Sequence, residues 1–185
     1  IIADDHAIVR KGVIQLLLEK YPFAIIDEAS NAEELINNVL SSIYDVAICD
    51  INMPGRSGLG ALVQLKQIRP EMPVLIMSMY PEEQYAVRVI KAGAAGFLGK
   101  ETIHDDLVTA IEMVRKGKKF ITSSIAEKLA TAVSSQEAKL KHETLSDREF
   151  DVFKLLATGK TITEIAMILS LSATTVSTYR SRVME

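Results

Sequence analysis

Three carboxylates, a lysine and a hydroxyl are the residues whose types and spacing suggest chemistry. Asp4 and Asp5 follow the apolar run Ile1–Ala3, and Asp50 follows the apolar run Val46–Cys49. If these runs are neighbouring parallel strands, all three carboxylates meet at one edge of the sheet. Like charges that close repel, and push carboxyl pKa values up unless a cation neutralises them. An oxygen-only set of carboxylates, a carbonyl and waters is what a magnesium ion accepts. Lys100 follows the run Gly96–Leu98 and adds an ammonium; Ser78 follows Val74–Met77 and adds a hydroxyl. A carboxylate flanked by a divalent cation, an ammonium and a hydroxyl can attack phosphorus and hold the phosphoryl oxygens. That chemistry needs little beyond in-line positioning and charge neutralisation. Each residue alone is commonplace at a solvated loop; it is their placement at four strand ends, in order, that carries the reading.

The elements that must position these groups are legible as alternation. The short apolar runs Ile1–Ala3, Ala24–Ile26, Val46–Cys49, Val74–Met77 and Gly96–Leu98 are separated by stretches with helical periodicity. Val9/Val13/Leu16/Leu17, Leu35/Ile36/Val39/Leu40 and Leu107/Ile111/Val114 are such stretches. Ser30-x-x-Glu33 and Thr102-x-x-Asp105 read as helix N-terminal boxes, while Pro54-Gly55 and Arg69-Pro70 punctuate loops. The expected fold is α/β: a doubly wound, five-stranded parallel sheet covered by helices on both faces. Ligand sites of such sheets lie beyond the carboxyl ends of the strands. His6 beside the acidic pair reads as a packing or hydrogen-bonding residue, because the carboxylates already suit magnesium. Cys49 should point away from Asp50 by strand alternation and fill core.

The texture changes after Lys116. Lys116-Gly117-Lys118-Lys119 leads into an amphipathic segment, Ser124–Val133, and then into polar residues up to Glu143. Three helical segments follow with no strand candidate. Ser146-x-x-Glu149 opens Phe150–Ala157, which stops at Gly159, and Thr161-x-x-Glu164 opens the second. Ser172 caps a third that runs to the end. The expected division is an α/β domain over 1–116, a helical linker over 117–143 and a small all-α module over 144–185. In the last helix Val176, Tyr179 and Val183 share one face, and Thr174, Ser177, Thr178 and Ser181 share the other, with Arg180 and Arg182 on the flanks. Small polar side chains between arginines suit a helix in a DNA major groove. Charge does not announce this: the chain carries −3. From Thr144 onward five Lys/Arg (148, 154, 160, 180, 182) face five Asp/Glu (147, 149, 151, 164, 185).

Composition bounds the setting. With 185 residues, 48% of them hydrophobic, the chain has enough for a packed domain and a small second one. No run approaches a membrane span of roughly 18 apolar residues. A single cysteine suits a reducing cytosol, so a cytoplasmic location is expected. The opening at Ile1, inside an apolar strand, suggests a few residues missing from the front.

Asp4-Asp5-His6, Cys49 through Gly55, Ser78-Met79-Tyr80 and Gly96 through Lys100 together resemble the receiver domain of NarL/FixJ-class response regulators. The resemblance implies that Asp50 is the phosphoacceptor and that Asp5 binds Mg2+ directly with Asp4 in support. It further implies the backbone carbonyl of Asn52 as a ligand and Ser78 and Phe97 as the switch pair. Lys100 then neutralises the phosphate, and a sensor histidine kinase supplies the phosphoryl group. Leu145 through Glu149, Gly159, Glu164-Ile165-Ala166 and Leu171-Ser172-x-x-Thr175-Val176 are similar to the LuxR-type helix-turn-helix. This implies promoter DNA as a partner, contacts from Thr174, Thr175, Ser177, Thr178, Arg180, Ser181 and Arg182, and a homodimer on phosphorylation. Ser177 and Tyr179 stand where many members carry Lys and His, a departure that bears on which bases are read. The family's fourth helix, often used in dimer contacts, lies past Glu185, so a truncated module is expected. Two other classes fit the sequence less well. An aspartyl-phosphate phosphatase needs a second acid two residues after its nucleophile, where this chain has Asn52. A pure phosphorelay adaptor would not need the terminal helices.

Overall fold

In the computed structural model, residues 1–80, 82–134, 145, 147–169 and 171–184 are described. The chain divides into two compact units, Ile1–Ser135 and Gln136–Glu185.

The first unit holds a five-stranded parallel sheet in the order β2-β1-β3-β4-β5. The strands are β1 (Ile2–Ala3), β2 (Glu28–Ala29), β3 (Ala47–Asp50), β4 (Val74–Ser78) and β5 (Gly96–Gly99). Between them run α1 (Ala7–Lys20), α2 (Ala32–Ser41), α3 (Gly58–Ile68) and α4 (Glu82–Lys91); α5 (Ile103–Arg115) follows β5. β3 and β4 are buried along their whole length, as central parallel strands with helices on both faces must be. The pleat sends Ile48, Leu75, Met77 and Leu98 into one core with Val13 and Leu17 of α1 and Leu107, Ile111 and Val114 of α5. α2 and α3 pack on each other, and Leu35, Leu62 and Leu65 are fully buried there. The register sets Ala3 against Cys49, Asp50 against Met77 and Ser78 against Gly99, which aligns the carboxyl ends of four strands.

Two local expectations need correction. The second strand is Glu28–Ala29, not Ala24–Ile26; Ile25 is exposed, and pairing to β1 begins only where the Ile2 amide donates to Asp27 O at 2.9 Å. An edge strand needs one buried side chain, here Ala29, so the nearby apolar run was a misleading signal. The α2 box also sits one residue later than expected. Asn31 accepts the Glu34 amide at 2.9 Å, and Glu34 reaches back to the Ser30 amide and hydroxyl at 2.7 and 2.9 Å. Thr102 is the N-cap of α5, as expected, but makes no side-chain capping bond.

After α5 the chain turns at Gly117 (φ 72°) and runs briefly beside β5, where the Phe120 amide donates to Ala95 O at 2.9 Å. The segment expected to carry a linker helix forms α6 (Ser123–Ser134), which packs against α4 within this unit and buries Ile125.

The second unit contains α7 (Asp147–Ala157), α8 (Ile162–Ile168) and α9 (Ala173–Met184). Ser146, expected to open α7, lies outside the described residues. α7 is followed by Gly159 at φ 79°, a left-handed position that favours glycine. α8 opens with the expected reciprocal box of Thr161 and Glu164. The Thr175 amide donates to Ser172 Oγ at 3.0 Å, which caps α9. Val152, Ile165, Ala166 and Val176 form the core, with Leu155, Leu156, Ile162, Leu169, Leu171 and Tyr179 around it.

Gly58 shows how tightly the sheet edge is held. A Cβ at this first residue of α3 would lie 2.8 Å from both Asp50 C and Ile51 Cα. Gly58→Ala is therefore expected to cost about 1–3 kcal/mol in urea denaturation by displacing the backbone that carries Asp50. Gly12→Ala in α1, where nothing lies within 4 Å, is the control and should be neutral or stabilising. Equal stability of both variants would contradict this close approach.

Candidate functional site

The aligned strand ends gather Asp4, Asp5, His6 and Asp50, whose potential ligand atoms all lie within 4.8 Å of one another. Asp4 and Asp50 are buried, at 0% and 2% exposure. Burying two carboxylates is costly unless a cation answers them. Lys100 does so. Its Nζ lies 2.6 Å from Asp4 Oδ2 and 3.0 Å from Asp50 Oδ2. It is placed by the turn after β5, where its own amide donates to Ser78 O at 2.8 Å. Burial pulls the ammonium pKa down, but Asp50 and Asp4 more than offset this and hold it above its ordinary value. Asp50 is pushed up to about 6, chiefly by burial, with Lys100 pulling the other way and Asp4 adding to the rise.

The remaining neighbours complete the pocket. Asp5 is one-third exposed, and His6 Nδ1 stands 2.7 Å from its Oδ1 and 3.2 Å from Asp4 Oδ1. The His6 amide also donates to Asp4 Oδ1 at 2.8 Å, so this histidine is a hydrogen-bonding residue of the acidic turn. Ser78 ends β4, fully buried, and its Oγ accepts the Tyr80 amide at 2.9 Å. Phe97, on β5 opposite Ile76, is turned inward and buried. Asn52 lies just past Asp50 in the β3–α3 loop and is exposed. Cys49 is fully buried, and burial pushes its thiol pKa far up, which leaves it an inert core residue. Asp50 Oδ1 is buried without a well-formed hydrogen bond, and the Asn52 amide is the backbone donor beside this carboxylate. A carboxylate oxygen so placed among other carboxylates fits a hard cation, and the cluster is consistent with a metal site.

In the second unit, α9 turns Val176 and, partly, Tyr179 into the core. Thr174, Thr178, Arg180, Ser181 and Arg182 are exposed, while Thr175 and Ser177 are half-buried. Several hydroxyls bond locally: Thr178 Oγ1 donates to Thr174 O at 3.1 Å and Ser181 Oγ to Ser177 O at 3.2 Å. Thr175 Oγ1 lies 2.7 Å from Ser172 Oγ, so it belongs to the cap of the helix. Arg182 Nη1 is 3.5 Å from Glu149 Oε1 of α7, a long-range tie that spacing within α9 could not reveal.

The family described as response regulator receiver domain matches residues 1–112, and bacterial regulatory proteins of the luxR family match residues 143–185. This chain is a two-component response regulator. It couples a receiver to a LuxR-type DNA-binding helix-turn-helix and is not a conventional enzyme. Among its relatives are the response regulator GacA of Pseudomonas aeruginosa and UvrY of Escherichia coli K12. GacA is 30% identical over all of this chain and 87% of its own length, UvrY 29% over all of this chain and 85% of its own. RcsB of Salmonella enterica serovar Typhimurium, solved bound to promoter P1flhDC with the phosphomimetic BeF3-, is 28% identical at a TM-score of 0.63. That match covers 99% of this chain and 88% of the RcsB chain. RcsB is also known as dimers bound to DNA. A receiver implies a kinase partner. No helix among the described residues of the regulator is long and apolar enough to cross a membrane.

One member of the neighbourhood was not read from the regulator's sequence. Arg10, in the first turns of α1, donates from Nη1 to Asp4 O and from Nε to Glu28 Oε2, both at 2.7 Å. The only available signal was a basic residue six positions after the acidic pair begins.

The raised pKa of Asp50 has a consequence for stability. A carboxyl favoured neutral in the fold costs stability while ionised, above about pH 6, and the cost is relieved as pH falls through 6 toward 3.8. The gap between these values sets an upper limit of roughly 3 kcal/mol. In metal-free buffer, Asp50→Asn should therefore be more stable than the parent at pH 7.5, and the gain should shrink by pH 5. Urea denaturation at both values with EDTA reads the difference. A gain that is absent, or that does not change with pH, contradicts burial as the dominant influence.

Proposed function

We propose that Asp50 accepts a phosphoryl group from a phosphohistidine of a sensor histidine kinase and that this modification governs promoter binding. The observation that carries the reading is the buried Asp50 carboxylate, ion-paired at one oxygen with Lys100 and without a well-formed hydrogen bond at the other. With a pKa of about 6, Asp50 is mostly ionised at neutral pH, yet poorly solvated, as a carboxylate nucleophile needs to be. An oxygen of Asp50 forms the bond to phosphorus as the nitrogen–phosphorus bond breaks, and the departing imidazole keeps the electron pair and takes up a proton. Lys100 stays beside the site and offsets charge on the transferred oxygens. Asp5, Asp50 and the Asn52 carbonyl, with Asp4 in support, would hold Mg2+. The ion supplies further charge neutralisation when bound. Ser78 then turns its hydroxyl from the Tyr80 amide to a phosphoryl oxygen, and Phe97 follows as the switch aromatic.

The output is a population shift. Phosphorylation biases the chain toward a homodimer whose two modules bind paired half-sites, with a coupling on the order of 1–3 kcal/mol. Thr174, Thr175, Ser177, Thr178 and Ser181 meet DNA along the groove, and Arg180 and Arg182 contact phosphates. None of these hydroxyls reads guanine as an arginine does. The functional division follows the receiver at 1–116, a connector at 117–143 that carries α6, and the DNA-binding module at 144–185. The setting is the cytoplasm.

Two experiments test this. Acetyl phosphate with Mg2+ should add one phosphoryl group per chain, Asp50→Asn should add none, and EDTA or Asp5→Ala should slow labelling strongly. Full labelling of Asp50→Asn sinks the assignment. On DNA, Arg180→Ala should weaken all operator variants about equally and flatten the salt slope, while Ser177→Ala and Thr178→Ala should reorder them at roughly 1–3 kcal/mol per lost base contact. The reverse pattern would mean that α9 presents a different face.

A further inference from the structure

Asp5 is the least constrained member of the acidic cluster. Asp4 and Asp50 are buried and bound to Lys100, whereas Asp5 is one-third exposed and ion-pairs with the ring of His6, itself 64% exposed. What directs the Asp5 side chain is therefore its backbone, and above all the peptide unit joining Asp4 to Asp5. That unit is gripped at its carbonyl, which accepts Arg10 Nη1 at 2.7 Å, and the peptide before it is tied to β2 by the Asp4 amide, which donates to Ala29 O at 3.2 Å. Arg10 is in turn fixed by Glu28, whose Oε2 accepts its Nε at 2.7 Å, and the guanidinium is largely buried at 14% exposure. Glu28 is paired in register with Ile2, so the clip joins α1, the end of β1 and β2 around a single carbonyl.

We infer that Arg10, held by Glu28, is a positioning residue that sets the affinity of the acidic turn for Mg2+. The inference rests on the proposed function, which makes Asp5 a direct ligand. A planar guanidinium offers donors in a fixed fork and can serve a carbonyl and a carboxylate at once, which an ammonium on a flexible stem does less well. Groups that orient metal-binding carboxylates without touching the metal typically change affinity by about 10- to 100-fold. Arg10 does not touch the phosphoryl oxygens, so its loss should weaken metal binding and leave the reaction of the metal-loaded site alone.

The test is isothermal titration of Mg2+ into the full chain, beside acetyl phosphate labelling across a Mg2+ series, for wild type, Arg10→Ala, Arg10→Lys and Glu28→Gln. Arg10→Ala should raise the Mg2+ Kd by about tenfold. Its labelling rate at saturating Mg2+ should stay within about twofold of wild type. Arg10→Lys should rescue part of the affinity, and Glu28→Gln, which keeps an acceptor, should rise less than Arg10→Ala. An unchanged Kd in all three variants, or a labelling rate lowered equally at every Mg2+ concentration, overturns the role. If Arg10→Ala does not fold, the other two variants read the same separation of affinity from rate. A wild-type chain that binds no Mg2+ overturns the proposed function and this inference with it, whereas equal Kd values overturn the inference alone.

Discussion

Two carboxylates without solvent need a cation, and much of the receiver is arranged around meeting that need. Asp4 and Asp50 lie at the carboxyl ends of adjacent central strands, where the pleat and the helices shut out water. Lys100 reaches both from the end of β5, two strands away from β3. A buried ion cluster of this kind contributes little net stability, because desolvation consumes most of the Coulomb gain. What it leaves is imbalance. One lysine cannot neutralise two buried acids and a third at the rim, and burial holds the Asp50 carboxyl near pKa 6 with Asp4 adding to the rise. Residual negative potential in a preformed oxygen cage is what a divalent cation would relieve, and a site poised in this way responds strongly to any change in its charge.

The rest of the first unit serves the placement of these groups. Whole-length burial of β3 and β4 pins their register, because a slip would draw the polar ends Asp50 and Ser78 into apolar surroundings. The α3 N-terminus rests on the backbone of Asp50 and Ile51 and admits only glycine there. Ser78 and Phe97 are both buried, on the strand next to that of Asp50 and on the one beyond it. A change in charge at Asp50 therefore meets packed surroundings, which a solvated loop would not provide.

The second unit follows a different economy. Among the described residues its core is a small cluster around Val152, Ile165, Ala166 and Val176 with half-buried side chains about it, and its net charge is zero over the terminal segment. Neither stability nor bulk electrostatics is in surplus. Affinity for a polyanion must then come from local placement of few cations, and one of them, Arg182, already leans on Glu149. A module so balanced gains from pairing with a second copy, and RcsB is known on DNA in dimeric form.

Local composition and spacing determined the class of fold, four of the five strands, the helix starts at Thr161 and Ser172, and the membership of the acidic pocket. They did so because each of these depends on neighbours within a few residues or on the alternation of a buried strand. The inward placement of Val176 and Tyr179 in α9 followed from the same periodicity, whereas Val183 does not join the core. Tertiary structure alone decided the rest. β2 lies at Glu28–Ala29 because its partner strand, not its own hydrophobicity, sets where pairing begins. Lys100 binds Asp4 more closely than Asp50, and burial outweighs that lysine at Asp50; both are outcomes of competing distances and solvent exclusion that no local pattern encodes. The Arg10 clip joins residues 4, 10 and 28, and the Arg182–Glu149 tie spans 33 positions. Such contacts arise only when separate elements are brought together, since a side chain's partner is chosen by proximity in space and its cost by the water that folding removes.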